Sequence, residues 1–269
     1  MGFEVRPITA TLGAEVSGVD MADVDAATVE QLRTAWLEHK VLVLRDQHIS
    51  VEDHIAFGRR FGELEVHPFA PDRTDHPEIV TITSTADRRY AASIWHSDVT
   101  WRQEPSMGSI LRGVVIPPVG GDTCFADAAA AYDRLPPDWK ERVDPLFAIH
   151  DHSGFLRGAS NEEKARQAAA FPPARHPVIR THPETGRRSI YTNRAFVSHI
   201  DGVSADESAE ILGRLERQIM DPSVQCRIRW EVDTFVMWDN RAVQHHATDD
   251  FQPETRHVER VTIVGDRPF

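Results

Sequence analysis

Cysteine is scarce in this chain: Cys124 and Cys226 are the only two among 269 residues. Two distant cysteines do not make the disulfide framework of a small secreted scaffold, and a chain this long buries a core without one. Reducing, cytoplasmic surroundings are the expectation. Long apolar runs are missing too, which argues against a membrane-spanning helix. The opening stretch MGFEVRPITATLG has neither the basic start nor the apolar core of a secretory signal, and Arg6 stands where myristoylation would require Ser or Thr. Positive charge is also in deficit, with 30 Lys and Arg against 42 Asp and Glu and a formal net charge of −12. Nucleic-acid binding draws on clustered basic residues to displace counterions, so no nucleic-acid partner is expected. Any anion held by so acidic a protein must be met by dedicated, buried arginines.

What is present is the composition of a globular protein, 41% hydrophobic and 27% charged. The reading is one domain over residues 1–269. Short alternating segments near the start, FEVRPI and AEVSGVD, read as strands. Asp25 reads as the cap of a helix over AATVEQLRTAWLEHK, with Val29, Leu32, Trp36 and Leu37 at helical spacing. The continuous apolar run from Val41 to Arg45 is a buried strand. Ser50 with Asp53, and Ser204 with Glu207, predict capping boxes; the first opens a helix that turns Ile55, Phe57 and Phe61 inward. Further strands are expected at EIVTITS, SILRGVVIP, HPVIRTHP, RRSIYTN, QCRIRW, DTFVMWD and RVTIVGD, with Thr185-Gly186 as a hairpin turn. Residues 66–93 and 151–176, polar and irregular or helical, are candidate active-site loops. Many short strands and a few helices predict a mainly β fold with flanking helices.

The stretch that carries chemistry is WHSDVTW, residues 95–101. Read as a strand, it turns His96 and Asp98 to one face and lets an imidazole and a carboxylate converge. That pair lacks one imidazole of the facial triad that holds Fe(II) with open coordination positions. Downstream, DTFVMWD runs into NRAVQHH, which offers His245 and His246 just beyond a hydrophobic strand. His96 and His245 lie 149 positions apart (245 minus 96), a separation that suits a barrel in which distant strands meet across a cavity. By itself, a His-x-Asp pair is also what a solvated turn offers.

With these motifs in view, the chain resembles the Fe(II)- and 2-oxoglutarate-dependent dioxygenases of the taurine and 2,4-dichlorophenoxyacetate dioxygenase type. The resemblance runs from LGAEVSGVD to RVTIVGDRPF, and its most specific parts are WHSDVTW, the GGDT at 120–123 and WDNRAVQH at 238–245. It implies a double-stranded β-helix (jelly-roll) core and an iron held by His96, Asp98 and His245, with His246 a neighbour that does not bind metal. It implies that Thr123 and Arg256 receive the far carboxylate of 2-oxoglutarate. It implies that Arg260, His67 and the Val99 backbone amide hold a substrate anion, with Phe196 as a wall. Fe(II), 2-oxoglutarate and O2 are then the cofactors, and a homo-oligomer is implied as well.

The same resemblance implies hydroxylation beside a heteroatom, with succinate and CO2 released and the heteroatom group often lost. Where taurine-specific enzymes contact the substrate amine through a tyrosine and an asparagine, this chain matches with Ala70 and Ala92. A buried ammonium would go unpaired there, which is costly. The expected partner is therefore a small anionic organic substrate with an apolar body: a sulfonate, a sulfate ester or an aryloxyalkanoate. The alternative is a jelly roll in which the three ligands hold a structural metal such as zinc.

Overall fold

The computed structural model describes residues 2–66, 75–88, 93–156, 158 and 160–269. The strands, in chain order, are β1 (Glu4–Pro7), β2 (Ala14–Ser17), β3 (Val41–Leu44), β4 (Val80–Ser84), β5 (Gly108–Val115), β6 (Thr123–Asp127), β7 (Phe147–His150), β8 (Ala174–Pro177), β9 (Ile179–Thr181), β10 (Arg188–Ile190), β11 (Val197–Ile200), β12 (Gln225–Ile228), β13 (Phe235–Asp239), β14 (Val243–Ala247) and β15 (Arg256–Ile263). The helices are α1 (Ala26–His39), α2 (Val51–Arg59), α3 (Ala128–Asp133), α4 (Pro137–Val143), α5 (Asn161–Ala170) and α6 (Ala205–Ile219).

Seven strands form the major sheet in the order β1-β2-β3-β13-β5-β15-β4, and β12-β6-β14 form a smaller sheet. The sequence of β3 shows why the sheets stack. Its four residues, VLVL, are all buried, and they divide between two cores. Val41 and Val43 join Phe125, Val236, Trp238 and Val258 in the layer between the sheets. Leu42 and Leu44 join Trp36, Phe57, Phe235 and Ile263 in the layer under α1 and α2. A strand buried on both faces has no polar alternation, and that is what the run displays. A third core, with Ala126, Ile211, Leu215 and Ile219, lies between the smaller sheet and α6.

Local signals set the helix starts. The Asp25 carboxylate accepts from the Thr28 N–H and opens α1, Ser50 and Asp53 close a reciprocal capping box on α2, and the Ser204 hydroxyl accepts from the Glu207 N–H at α6. The expected strand at WHSDVTW does not form. His96 makes one isolated bridge, and the chain turns from Asp98 onward, with Val99 at a φ of 47°. Hydrogen bonds from Asp98 to Asn240 and between Thr100 and both His150 and Asn193 hold the turn against the β preference of Val99 and Thr100. Among the described residues, no helix is long and apolar enough to cross a membrane.

His54, on α2, illustrates the cost of this packing. Its ring is fully buried against Phe235, its Nε2 donates to the Ile110 carbonyl at 3.1 Å, and burial pushes its pKa down to about 3. The unfolded chain takes up this proton near pH 6.5, whereas the folded chain does not, so stability is complete above that pH and falls as acid is added towards pH 3. Each such histidine contributes a slope of about 1.4 kcal/mol per pH unit. Urea titrations between about pH 6.5 and 4.5 should show that slope reduced in His54→Leu; an identical slope would assign the acid loss to other groups.

Candidate active site

The site begins with two backbone hydrogen bonds. The His96 N–H donates to the His245 carbonyl at 3.1 Å, and the His245 N–H donates back to the His96 carbonyl at 2.7 Å. This bridge sets the two imidazoles side by side, with ring centroids 4.1 Å apart. The turn that follows carries Asp98 back to them, and one donor atom from each of His96, Asp98 and His245 lies within 4.8 Å of the other two.

Each donor is prepared. The His96 Nδ1 donates to the Ile94 carbonyl at 2.7 Å, so the lone pair is left on Nε2. His245 Nδ1 is buried with no hydrogen-bond partner among the described residues, and its Nε2 stands 3.8 Å from Asp98 Oδ1. Burial pushes both imidazoles down in pKa, so they stay neutral. Burial opposes ionisation of Asp98, but Arg260, the two histidines and the Ser109 hydroxyl outweigh it and hold the carboxyl far below its usual range. Two neutral imidazoles and a carboxylate are the donor set that suits Fe(II).

The carboxylate is also oriented. Ser109 Oγ donates to Asp98 Oδ2 at 2.8 Å, Asn240 Nδ2 reaches the same oxygen at 3.3 Å, and Asn240 Oδ1 accepts from the Asp98 N–H at 3.2 Å. Trp238 Nε1 donates to Asn240 Oδ1 at 2.9 Å. Arg260 Nη1 meets the other oxygen, Oδ1, at 2.7 Å. Ser109 carries no signal in the sequence, because its link to Asp98 is made across strands. Asn240 does carry one, as part of WDNRAVQH.

A second group of polar side chains gathers around the strand that carries His245. Strand β6 pairs with β14 so that Thr123 faces Ala247 and Phe125 faces His245; Thr123 thus shares the inner face with the ligand. The Thr123 oxygen accepts from Trp230 Nε1 at 3.0 Å, which leaves its own proton to donate. The Arg256 guanidinium lies 5.5 Å from the Trp230 ring centroid, and its Nε donates to the Gly121 carbonyl at 2.9 Å. Trp230, which no sequence motif marks, therefore touches both residues. Gly121, at a φ of 72°, would place a Cβ 3.1 Å from Arg256 Cδ, so the GGDT turn makes room for the arginine stem. Burial pulls the Arg256 pKa down to about 10 against a smaller opposing pull from Asp122. Arg260 lies four residues on along β15, in extended chain, on the same face as Arg256.

Phe196 packs its ring 6.3 Å from His96 and forms an apolar wall with Val99 and Trp101. His67, Ala70 and Ala92 lie outside the described residues, as does part of the expected loop at 66–93.

A triad of two neutral histidines and one carboxylate inside a double-stranded β-helix defines a non-haem iron oxygenase that uses 2-oxoglutarate. The sequence matches the family Taurine catabolism dioxygenase TauD, TfdA family over residues 4–262, and the chain belongs to that family. It is 35% identical to an alpha-ketoglutarate-dependent sulfate ester dioxygenase of Pseudomonas putida, over 99% of this chain and 91% of that one. It is 34% identical to the (S)-phenoxypropionate/alpha-ketoglutarate-dioxygenase of Sphingobium herbicidovorans, over 98% and 96%. Among solved structures, a taurine dioxygenase from Burkholderia xenovorans superposes with a TM-score of 0.86 at 35% identity, covering 100% and 93%. AAD-2 in complex with Mn(II) and N-oxalylglycine does so with a TM-score of 0.86 at 28% identity, covering 100% and 99%. Fe(II) and 2-oxoglutarate are thus the cofactor and cosubstrate, and the structural-metal alternative gives way.

Because Asn240 and Ser109 hold the Asp98 carboxylate, Asn240→Ala and Ser109→Ala should each weaken metal binding by about 10- to 100-fold. Mn(II) titration followed by electron paramagnetic resonance reads this directly. Unchanged affinity in both variants would remove the orienting role.

Proposed function

We propose that this enzyme hydroxylates a small organic anion at a carbon next to a heteroatom, with a sulfate ester, a sulfonate or an aryloxyalkanoate as substrate. The observation that carries this reading is the pair of buried arginines on one face of β15, Arg256 and Arg260, with apolar Val258 between them. In a chain of net charge −12, two guanidiniums kept from water beside a metal triad are a local receptor for anions. Arg256, whose hydrogen bonding among the described residues stops at one carbonyl, suits the far carboxylate of 2-oxoglutarate, with the Thr123 hydroxyl as second donor. Arg260, with the Val99 amide and His67, suits the substrate anion. The Val99 N–H makes no hydrogen bond to any described residue.

Iron held by His96, Asp98 and His245 would supply the redox chemistry by which O2 oxidatively decarboxylates 2-oxoglutarate, one oxygen atom going to succinate as CO2 leaves and the other to the substrate as its hydroxyl. The protein's own part is placement. An anion clamped at Arg260, beside Asp98, fixes which C–H faces the metal, and Phe196, Val99 and Trp101 line an apolar side for the substrate body. The stretch at 151–176 adds Phe171, whose ring meets Trp101 at 5.1 Å, in keeping with a single domain whose loop covers the site. A hydroxyl placed on the carbon bearing sulfate, sulfonate or an ether oxygen gives a product that collapses to a carbonyl and releases the heteroatom group. Sulfate esters come first in this series, a reading supported by similarity to the Pseudomonas putida enzyme and to an alkylsulfatase of Acinetobacter baylyi at 33% identity.

Anaerobic Fe(II) and 2-oxoglutarate should give the weak visible charge-transfer band of the chelate, and Arg256→Ala should need about 10- to 100-fold more 2-oxoglutarate to reach it. With O2, succinate release should be stimulated by hexyl sulfate, hexanesulfonate or phenoxyacetate, and little by taurine. No stimulation by any of the three anions would sink the substrate class while leaving the cofactor reading to the band.

A further inference from the structure

Behind the metal segments lies a second cavity of about 270 Å³ between β14, α6 and the loop 192–197. It is on the far side of β14 from the triad. His245 turns inward opposite Phe125, so Gln244, opposite Ala126, turns outward towards the core under α6. A volume just below the usual range for small-molecule sites is enough for a compact ligand.

Three features show a built site rather than loose packing. Gln244 is only 2% exposed, and its Nε2 donates to the Thr192 carbonyl at 2.8 Å. That bond fixes the orientation of the amide and leaves Oε1, on a side chain lining the cavity, as an acceptor. Thr192, 6% exposed, brings a hydroxyl to the same lining. Gly213 sits in the interior of α6, where glycine costs stability relative to alanine. No close backbone demands it, because an added Cβ would meet only the tip of Arg217 at 3.5 Å. The absent side chain is what leaves the space open.

The lining also narrows the chemistry of the ligand. Its charged residues, Arg194 and Glu216, pair with each other at 2.9 Å, so neither the keto acid nor an anionic substrate finds a counter-charge here. Trp95, Val197 and Leu212 supply apolar wall. We infer that this cavity is a second binding site, for a small uncharged phenol or alcohol whose O–H donates to Gln244 Oε1. Trp95 and Gln244 each precede a metal ligand by one residue, so an occupant rests against the outer side of the His96–His245 bridge.

The test is calorimetric titration of p-cresol into the protein loaded with Mn(II) and 2-oxoglutarate. We expect saturable binding of one molecule per chain, weakened about tenfold or more by Gly213→Leu, which fills the space, and by Gln244→Met, which removes the acceptor. Affinity for 2-oxoglutarate should be unchanged in Gly213→Leu. Absence of saturable binding in wild type, or unchanged p-cresol affinity in a folded Gly213→Leu protein, would overturn the assignment. If thermal melting shows that variant unfolded, unchanged affinity in Gln244→Met overturns it instead.

Discussion

Two backbone hydrogen bonds between His96 and His245 are the constraint on which the active centre rests. They join positions 149 residues apart (245 minus 96), and the fold supplies the closure that such a contact needs. β14 is held by β6, and the rings of Phe125 and Trp238 pack against His245. Ser97 Oγ adds a hydrogen bond to the Val243 carbonyl at 2.7 Å, so the ligand segment is tied to β14 by side chain as well as backbone. Without the stacked sheets, three ligands from two distant segments would each have to be ordered at the moment of metal binding.

Charge is distributed on the same plan. The protein as a whole is acidic, yet its interior layer carries Arg256 and Arg260 on one strand face next to the ionised carboxylate of Asp98. Neutral imidazoles keep the local sum small, because burial penalises their charged form. The result is a buried cluster of side chains with a positive bias inside a negative protein. On the proposed function, an anion that enters would gain partners which water would otherwise have supplied.

Much of this is legible in the sequence where the signal is local. Asp25, Ser50 and the run at Val41 stand for short-range rules of capping and burial, and they fold as those rules predict. The triad is legible through His-x-Asp and the histidine pair once the family motifs line up, and the resemblance supplies the choice of His245 over His246. What cannot be read are partners across strands. Ser109 reaches Asp98 only because β5 lies beside β13 and β15, and Trp230 joins Thr123 to Arg256 only because β12 pairs with β6. Such adjacency is a property of sheet order, which leaves no periodic mark on a single strand.

The ligand turn is where the fold departs furthest from local preference. Val99 and Thr100 favour strand, yet a strand would leave Asp98 about 6.6 Å further along than His96 and aimed parallel to it. A turn folds Asp98 back over the bridge, which three ligands facing one metal require. The cost falls on Val99, a β-branched residue at a φ of 47°, in a region that L residues avoid by roughly 1–3 kcal/mol. It persists because both neighbours are pinned. The Asp98 N–H is bound by Asn240, while the Thr100 hydroxyl meets His150 Nδ1 and accepts from Asn193 Nδ2, each at 2.9 Å. Strain at one residue is thus what converts a sequence of strand formers into a ligand-bearing turn.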